Sequence, residues 1–489
     1  MKFKAINILT CAGIMAALNF TACSPSDFDD LNVNPNQPSQ PVTSALLTSA
    51  QRQLTGNIIT QSTVLTVSYP NLYVQFISDK QYTENSRYST IAFNYGAIYT
   101  GPLDNLQQII DLNTNPETAP DVAVNGSNAN QIAVATILRS YLFLHLTDRF
   151  GDIPFSEALK RTENFTPKFD KQQDIYNKLF EDLKGAVAMM DNGASPAGDI
   201  MFNGDLDQWR IFANTMRMVM ALRLSKVDAA KGQTEFNDAM SDGVISSNDE
   251  NVFFSYLADD NNDNPWQDAF ETRLDFAISN TFEDKLSAMS DPRLAVFANE
   301  AAATGTYVGM PYGIEEAAAG AIANASVSFL GDALREQTSP SYIYTYAQVL
   351  FSMAEAAHLG WIPGGEVAAA DYYYDAIEAS WEQWGVSTAT LATYIAQASV
   401  AYTPATAMEK IGTQKWISLY LNGYEAWAEW RRIGFPVLAP APASLNPGGI
   451  PRRQAYPAFE ATLNESNYDE AVSRIGTDDL NQRVWWDKP

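Results

Sequence analysis

The chain has 489 residues, a formal net charge of −26 at pH 7, and only two cysteines and two histidines. Such an acidic surface repels phosphate backbones and anionic lipid headgroups, which excludes nucleic acid as a partner. So few cysteines and histidines also exclude clustered zinc sites and leave almost nothing for thiol or imidazole catalysis.

The first residues predict export. Lys2 and Lys4 precede an apolar run from Ile6 to Phe20 that is too short to span a bilayer, and a small residue, Ala22, stands directly before Cys23. This order is typical of a bacterial lipoprotein signal, although Phe20 stands where such signals usually have Leu. We predict a signal peptide over residues 1–22 and acylation, including palmitate, at Cys23. Lipid is then the only predicted contact with the membrane.

Residues 23–41 are polar and rich in proline, which predicts an extended tether between the lipid and the fold. Asp27, Asp29 and Asp30 follow Cys23 closely. An acidic cluster there resembles the signal that sends some lipoproteins to the exterior face of the outer membrane. We therefore predict an outer-membrane protein that faces the cell exterior.

Apolar spacing predicts a mostly α protein with one domain over residues 42–489. Two of the predicted helices are joined by a glycine-rich turn at residues 360–365 and form a helical hairpin, which suggests tetratricopeptide-like packing. Residues 249–320 are irregular and predict a region of ligand-binding loops. The helices are predicted over residues 44–68, 132–146, 170–190 with Asp170 as N-cap, 209–224, 342–359 and 372–384.

Several motifs, in constant order from the signal to the last residues, carry a resemblance to a known family. The chain has the opening Leu31-Asn32-Val33-Asn34-Pro35-Asn36 and the segment Asp148-Arg149-Phe150-Gly151-Asp152-Ile153-Pro154-Phe155-Ser156-Glu157-Ala158. Later come Trp209 with Phe212-Ala213-Asn214, then Glu425-Ala426-Trp427-Ala428-Glu429-Trp430-Arg431-Arg432, and finally Asp478-Asp479-Leu480-Asn481 with Val484-Trp485-Trp486. This ordered set resembles the SusD/RagB family of nutrient-binding outer-membrane lipoproteins. Gln348 stands where the family often has Glu.

The resemblance implies a scaffold of four tetratricopeptide-like hairpins. It also implies a function: capture of oligosaccharides, or in some lineages peptides, and delivery to a TonB-dependent, SusC-like β-barrel transporter without catalysis. No cofactor is implied. Two other classes stay open from the residues alone, namely a secreted glycoside hydrolase and a helical-repeat scaffold for protein assembly.

Sugar binding requires flat aromatic faces together with amide, acid and Arg hydrogen-bonding groups. Two irregular segments are dense in these residue types, one at residues 81–88 and the other at residues 264–268 together with nearby glycine-flanked tyrosines. The predicted ligand-binding residues are Tyr82, Arg87, Tyr88, Trp266, Tyr307 and Tyr312.

Two acidic groups have competing interpretations. Glu425 and Glu429 share one helix face, which a glycosidase could use, but Arg431 and Arg432 within one turn favour ionised, paired carboxylates instead. The cluster Asp259–Asn264 offers oxygen ligands for calcium. An EF-hand beginning at Asp260 places Pro265 where the loop needs glycine, so that motif is excluded, and another kind of calcium site stays open.

Overall fold

Helices supply most of the regular structure between residues 42 and 489. The computed structural model describes residues 42–59, 63–89 and 93–489. The predicted signal peptide, Cys23 and the tether lie outside the described residues. The described helices of ten or more residues are α1 (Thr43–Arg52), α2 (Asp104–Thr114), α3 (Asn128–Phe150), α4 (Gln172–Met189), α5 (Leu206–Arg223), α6 (Ala229–Asp242), α7 (Asn280–Met289), α8 (Tyr346–His358), α9 (Gly365–Gln383), α10 (Ala407–Ser418), α11 (Gly423–Ile433) and α12 (Glu465–Ile475).

Consecutive helices pack as hairpins, and four such pairs, α3–α4, α5–α6, α8–α9 and α10–α11, form the scaffold of the described chain. Local chemistry fixes where these helices begin. The side chains of Ser127, Asp205 and Thr345 accept hydrogen bonds from the first backbone N–H groups of α3, α5 and α8. In the turn between α8 and α9, Gly360 and Gly364 adopt φ of +73° and +103°, which side chains with a Cβ rarely adopt. The predicted mostly α, hairpin-based fold is confirmed.

Strands are short and form three two-stranded antiparallel sheets in the described residues. In two of these sheets, residues 77–79 and 341–344 pair with strands from the irregular part of the chain. Shorter helices lie at Ser68–Tyr73, Pro265–Glu271, Leu294–Phe297 and Glu316–Ala321. The strands are β1 (Ile77–Asp79), β2 (Ile153–Pro154), β3 (Phe169–Asp170), β4 (Val252–Phe254), β5 (Phe276–Ile278) and β6 (Ser341–Tyr344), paired as β1–β5, β2–β3 and β4–β6.

Some predicted helix bounds are wrong. The helix predicted over residues 44–68 ends at Arg52, because the chain turns back and the backbone N–H groups of Val64 and Leu65 both donate to the carbonyl of Leu54. Asp170 does not cap α4; it ends β3, and its carboxylate accepts from the backbone N–H of Ser156 at 2.7 Å. Residues 342–344, predicted as the start of a helix, belong to the strand β6, and α9 begins at Gly365 rather than at residue 372.

Stacked aromatic rings join the irregular region to the hairpins. The ring of Phe282 in α7 lies 4.7 Å from the ring of Tyr420 at an angle of 7°, and 4.9 Å from Trp416 in α10. Residues 43–489 form one compact unit around this shared core. No helix in the described parts of the chain is long and apolar enough to cross a membrane.

Candidate functional site

The β1–β5 ribbon positions a loop that carries several predicted ligand-binding residues. Asp79 at the end of β1 pairs with Phe276 at the start of β5, and the backbone N–H of Lys80 donates to the carbonyl of Asp275 at 2.6 Å. Residues 80–89 leave the ribbon as a series of turns, which we call the Tyr82 loop. The loop therefore starts from a fixed edge of the core.

Tyr82 presents its ring to solvent. Its side chain is 58% exposed, and its backbone has φ of +57°, an uncommon value for a residue other than glycine. The guanidinium of Arg273, just before β5, lies 4.9 Å from the centre of the Tyr82 ring, and Asp275 pairs with Arg273 at 2.6 Å. The pair presents a flat ring beside hydrogen-bond donors, which is the combination that a sugar ring and its hydroxyls require.

Two carboxylates hold the Tyr82 loop through its backbone. Glu316 accepts from the N–H of Thr83 at 2.8 Å, and Asp79 accepts from the N–H of Ser86 at 2.7 Å. The ammonium of Lys80 donates to the carbonyl of Ala319 at 3.0 Å, in the same short helix as Glu316. These bonds fix the loop on both sides of Tyr82.

The carboxyl of Asp79 is buried, and burial raises its pKa to about 8 although the hydrogen bond from Ser86 acts in the opposite direction. Glu84 and Glu316 raise the pKa further through their negative charge. Among the described residues no Lys, Arg or His forms an ion pair with either Asp79 or Glu316.

Three other predicted residues, Arg87, Tyr88 and Tyr312, lie in or beside this loop and are buried or half-buried. Tyr88 is 1% exposed, and its ring packs against Tyr73 and Tyr312. Tyr312 is also buried, and its hydroxyl donates to the carbonyl of Leu72 at 2.6 Å. Arg87 is half-buried and donates to the carbonyl of Ala443 at 2.8 Å. Tyr88 and Tyr312 are both buried, so their rings belong to the core that supports the loop.

Trp266 and Tyr307 are less exposed than Tyr82 and contact the core. Trp266 is 2% exposed, its ring lies 6.1 Å from that of Phe276, and it lines a cavity of about 220 Å³. Tyr307 is half-buried and packs against the core. Of the six predicted residues, Tyr82 is the most exposed.

Sequence reasoning missed Arg273 and Glu316. Arg273 is the only Lys or Arg between Lys231 and Lys285, and such an isolated positive charge in an acidic stretch is a signal that could have been used. Glu316 gives no such signal, because Glu315 beside it has the same side chain. Only the fold shows which of the two reaches the loop.

Glu425 and Glu429 lie inside the hairpin scaffold. Glu425 pairs with Arg223 of α5 at 2.5 Å and accepts from the amide of Gln348 at 2.8 Å. Glu429 pairs with Lys415 at 2.6 Å and with Arg432 at 2.7 Å, and Arg432 also pairs with Glu355. This buried ion-pair network leaves neither carboxylate an open face for a sugar ring, as a glycosidase would need.

The pKa values of the two carboxyls of this network shift in opposite directions. Burial raises the pKa of Glu425 despite Arg223, whereas the cations Arg432 and Lys415 outweigh burial and lower the pKa of Glu429 well below its usual range. The predicted role of Arg431 as an ion-pair partner is wrong. Its guanidinium lies 3.7 Å from the centre of the Trp427 ring and donates to the carbonyl of Asp148 at 2.8 Å.

The Asp259–Asn264 cluster begins as a turn at the surface and ends in the buried residues Asp263 and Asn264. The carboxylate of Asp259 accepts from the backbone N–H of Asn261 at 3.0 Å and from the side-chain amide of Asn262 at 3.2 Å. Within residues 42–59, 63–89 and 93–489, no group of three or more His, Cys, Asp or Glu side chains is placed to hold a metal ion.

The geometry defines a helical-hairpin scaffold that displays an aromatic residue and an arginine on elements outside the hairpins. Comparison with known families gives this class a name. Residues 35–457 match the family model described as "Starch-binding associating with outer membrane", which covers most of the chain. The chain belongs to this SusD-like family of carbohydrate-binding proteins associated with the outer membrane.

Solved structures agree with this assignment. A chitin-binding protein is 32% identical, with 91% of this chain and 100% of that one covered and a TM-score of 0.79. A chitin-binding SusD homologue from Flavobacterium johnsoniae is 25% identical over 91% of this chain and 98% of its own, with a TM-score of 0.75. A SusD homologue from Bacteroides fragilis, 22% identical over 91% of this chain and 100% of its own, shares the fold with a TM-score of 0.79. A search of curated proteins finds no match.

Proposed function

We propose that this protein binds a chitin-type oligosaccharide at the cell surface and delivers it to a TonB-dependent, SusC-like transporter, without catalysis and without a cofactor. The Tyr82–Arg273 pair is the observation that carries this proposal, because it combines an exposed ring, on a loop held by hydrogen bonds, with the donors of the Arg273 guanidinium. The choice of a chitin-type ligand rests on the similarity to two structures named as chitin-binding.

The remaining parts of the proposal follow from the sequence and the family. Acylation at Cys23 would fix the protein to the outer membrane, with the tether of residues 23–41 allowing the binding domain to reach its ligand. Several acyl chains are needed for stable attachment, since a single chain binds a membrane only marginally. The absence of an open carboxylate pair in the Glu425–Glu429 network favours binding over hydrolysis.

Calorimetric titration of the purified protein with chito-oligosaccharides, malto-oligosaccharides and peptides tests the proposal. We expect saturable binding of chito-oligosaccharides and no new products in the mixtures. Tyr82→Ala should weaken binding about tenfold, since an aromatic contact contributes about 0.5–1.5 kcal/mol beyond the area it buries.

Phe165→Ala is the matched control, because Phe165 is also an exposed aromatic residue, at 77%, and lines a different groove with Pro167 and Leu463. It should leave affinity unchanged. New products would show an enzyme. Binding of no soluble ligand, together with binding of protein partners, would favour the assembly scaffold.

A further inference from the structure

An open cleft of about 640 Å³ lies where the start of α4, the end of α12 and the segment of residues 481–488 come together. We call it the Trp485 cleft. None of the described residues that line it belongs to the Tyr82 loop, so it is a separate place on the molecule. Its exposed and half-buried lining side chains include Lys171, Gln173, Arg474, Arg483, Trp485 and Lys488.

The charge of this cleft is opposite in sign to that of the chain. Of the described side chains that line it, five are Lys or Arg and two are Asp. The whole chain instead has 31 Lys and Arg against 57 Asp and Glu. Most of the surface therefore repels an anionic ligand, whereas the walls of the cleft attract one and concentrate the field.

Two of the five basic side chains, Lys171 and Lys488, have no acidic partner in the described residues. Both are exposed, so their ammonium groups are free to contact a ligand. Each ammonium is a compact charge with three hydrogen-bond donors. The other three basic side chains each pair with an aspartate at 2.6 Å, namely Arg453 with Asp478, Arg474 with Asp152 and Arg483 with Asp487.

Trp485 and Trp486 are neighbours in the chain with different surroundings. Trp486 is buried, and its indole N–H donates to the carboxylate of Asp148 at 2.7 Å. Trp485 is half-buried; its backbone N–H donates to the side chain of Gln172 at 2.7 Å, and its ring meets that of Tyr176 edge to face at 5.9 Å. The indole Nε1 of Trp485 is neither buried nor bonded to any described residue. The cleft therefore contains a fixed aromatic ring whose donor is available to a ligand.

We propose that the Trp485 cleft binds a carboxylated sugar, that is, a saccharide with uronic acid units. The ammonium groups of Lys171 and Lys488 bind the carboxylates, and the ring and indole N–H of Trp485 contact the sugar ring and a hydroxyl. Gln173 adds its exposed side-chain amide and a backbone N–H that has no partner in the described residues. The volume falls within the roughly 300–1,000 Å³ of small-molecule sites.

The uncharged groups in the cleft favour a sugar over an acidic peptide. Lysine ammonium groups attract carboxylates of either kind, but an aromatic ring beside amide groups matches the apolar face and the hydroxyls of a sugar ring. The chain also belongs to a carbohydrate-binding family. The site is independent of the Tyr82–Arg273 pair and of the chitin-type ligand proposed for it.

Calorimetric titration of the purified protein with three probes tests the class of ligand. The galacturonic acid trimer has both the sugar rings and the charge, its methyl ester has the rings without the charge, and the glutamate trimer has the charge without the rings. We expect saturable binding of the galacturonic acid trimer that weakens as salt is added, because salt screens exposed charges. The ester and the peptide should each bind about tenfold more weakly or not at all.

Variants then locate the site. The double change Lys171→Gln and Lys488→Gln should weaken binding of the galacturonic acid trimer about tenfold, since it removes two charges that face the ligand. Its Tm should equal that of the wild type, because both side chains are exposed. Trp485→Leu should weaken binding about threefold through the lost aromatic contact.

Lys160→Gln is the matched control for the lysines. Lys160 is also exposed, has no acidic partner in the part of the chain that the structure describes, and lines a different groove. This variant should bind the galacturonic acid trimer with wild-type affinity.

Several results would overturn the inference. They are no binding of the galacturonic acid trimer to the wild type, equal binding of the glutamate trimer, and wild-type affinity in the double lysine variant or in Trp485→Leu. The two sites are also distinguished from each other. The double lysine variant should keep full affinity for chito-oligosaccharides, and Tyr82→Ala should keep full affinity for the galacturonic acid trimer. Loss of the trimer in Tyr82→Ala would place this ligand at the Tyr82 loop and reject the cleft.

Discussion

Carboxylates stabilise both the hairpin scaffold and the Tyr82 loop, but their partners differ. In the scaffold, Glu355, Glu425 and Glu429 each contact a buried Arg or Lys. At the loop, Asp79 and Glu316 accept backbone N–H groups, and no cation in the described chain pairs with them. The scaffold therefore depends on charge compensation, whereas the loop depends on hydrogen bonds to its backbone.

This difference predicts different consequences of mutation. Removing one member of a buried ion pair leaves its partner charged and desolvated, which destabilises the whole fold. Removing the exposed carboxylate of Glu316 takes away only one of several hydrogen bonds that hold the loop, and the bonds made by Asp79 and Lys80 remain. We therefore expect substitutions in the scaffold to change stability and substitutions in the loop to change ligand affinity.

The largest effect is expected from Arg432→Met. Arg432 pairs with both Glu355 and Glu429, and all three side chains are buried. Its loss should lower the free energy of unfolding by about 3–5 kcal/mol, measured by chemical denaturation.

The control is Arg210→Ala, which removes an arginine paired with the exposed Asp207. Surface ion pairs contribute about 0–1 kcal/mol, so this variant should stay close to the wild type. Equal destabilisation by both changes would contradict the assigned role of the buried network.

Asp79→Asn should alter the pH dependence of stability. The pKa of Asp79 is raised to about 8 in the folded protein, above the value near 3.9 of an exposed carboxyl. A group with a raised folded pKa contributes stability below its unfolded pKa, and this contribution is lost as pH rises through the folded value. The wild type should therefore lose stability relative to Asp79→Asn as the pH rises from about 4 to about 8.

Chemical denaturation at several pH values checks this expectation, because Asn keeps an acceptor for the N–H of Ser86 but cannot ionise. Asp121→Asn, at an exposed position, should follow the wild-type profile. Parallel profiles for the wild type and Asp79→Asn would contradict the raised pKa of Asp79.

The hairpins could be predicted from the sequence because helix periodicity, N-caps and glycine turns are local. Asp170 shows the limit of such local signals: it stands one residue too early for α4 and instead bonds Ser156, fourteen residues away. In the same way, the apolar spacing predicted a first helix that extends beyond Arg52. The residues that follow do place apolar side chains in the core, but they do so from a loop.

The candidate site was only partly predictable, because its parts are distant in the chain. Tyr82 was found from its dense polar and aromatic surroundings. Glu316, however, meets the loop across 233 residues, and no local pattern specifies such a contact.

The smallest effect on stability, and the sharpest test of the comparison, is expected from Glu316→Ala. This change removes the acceptor for the N–H of Thr83, next to Tyr82, while the carboxylate itself is exposed. The free energy of unfolding should change by less than about 0.5 kcal/mol. Oligosaccharide affinity should fall about threefold to tenfold, because a freed loop must be ordered again when the ligand binds.

Glu315→Ala is the matched control, since Glu315 is also exposed, adjoins Glu316, and makes no side-chain bond to the short helix that follows. Calorimetry should show wild-type affinity for Glu315→Ala and weaker binding for Glu316→Ala. Equal affinity in the two variants would mean that Asp79 and Lys80 hold the Tyr82 loop without Glu316. A large loss of stability in Glu316→Ala alone would mean that the loop is part of the core, and the distinction between scaffold and loop would then be wrong.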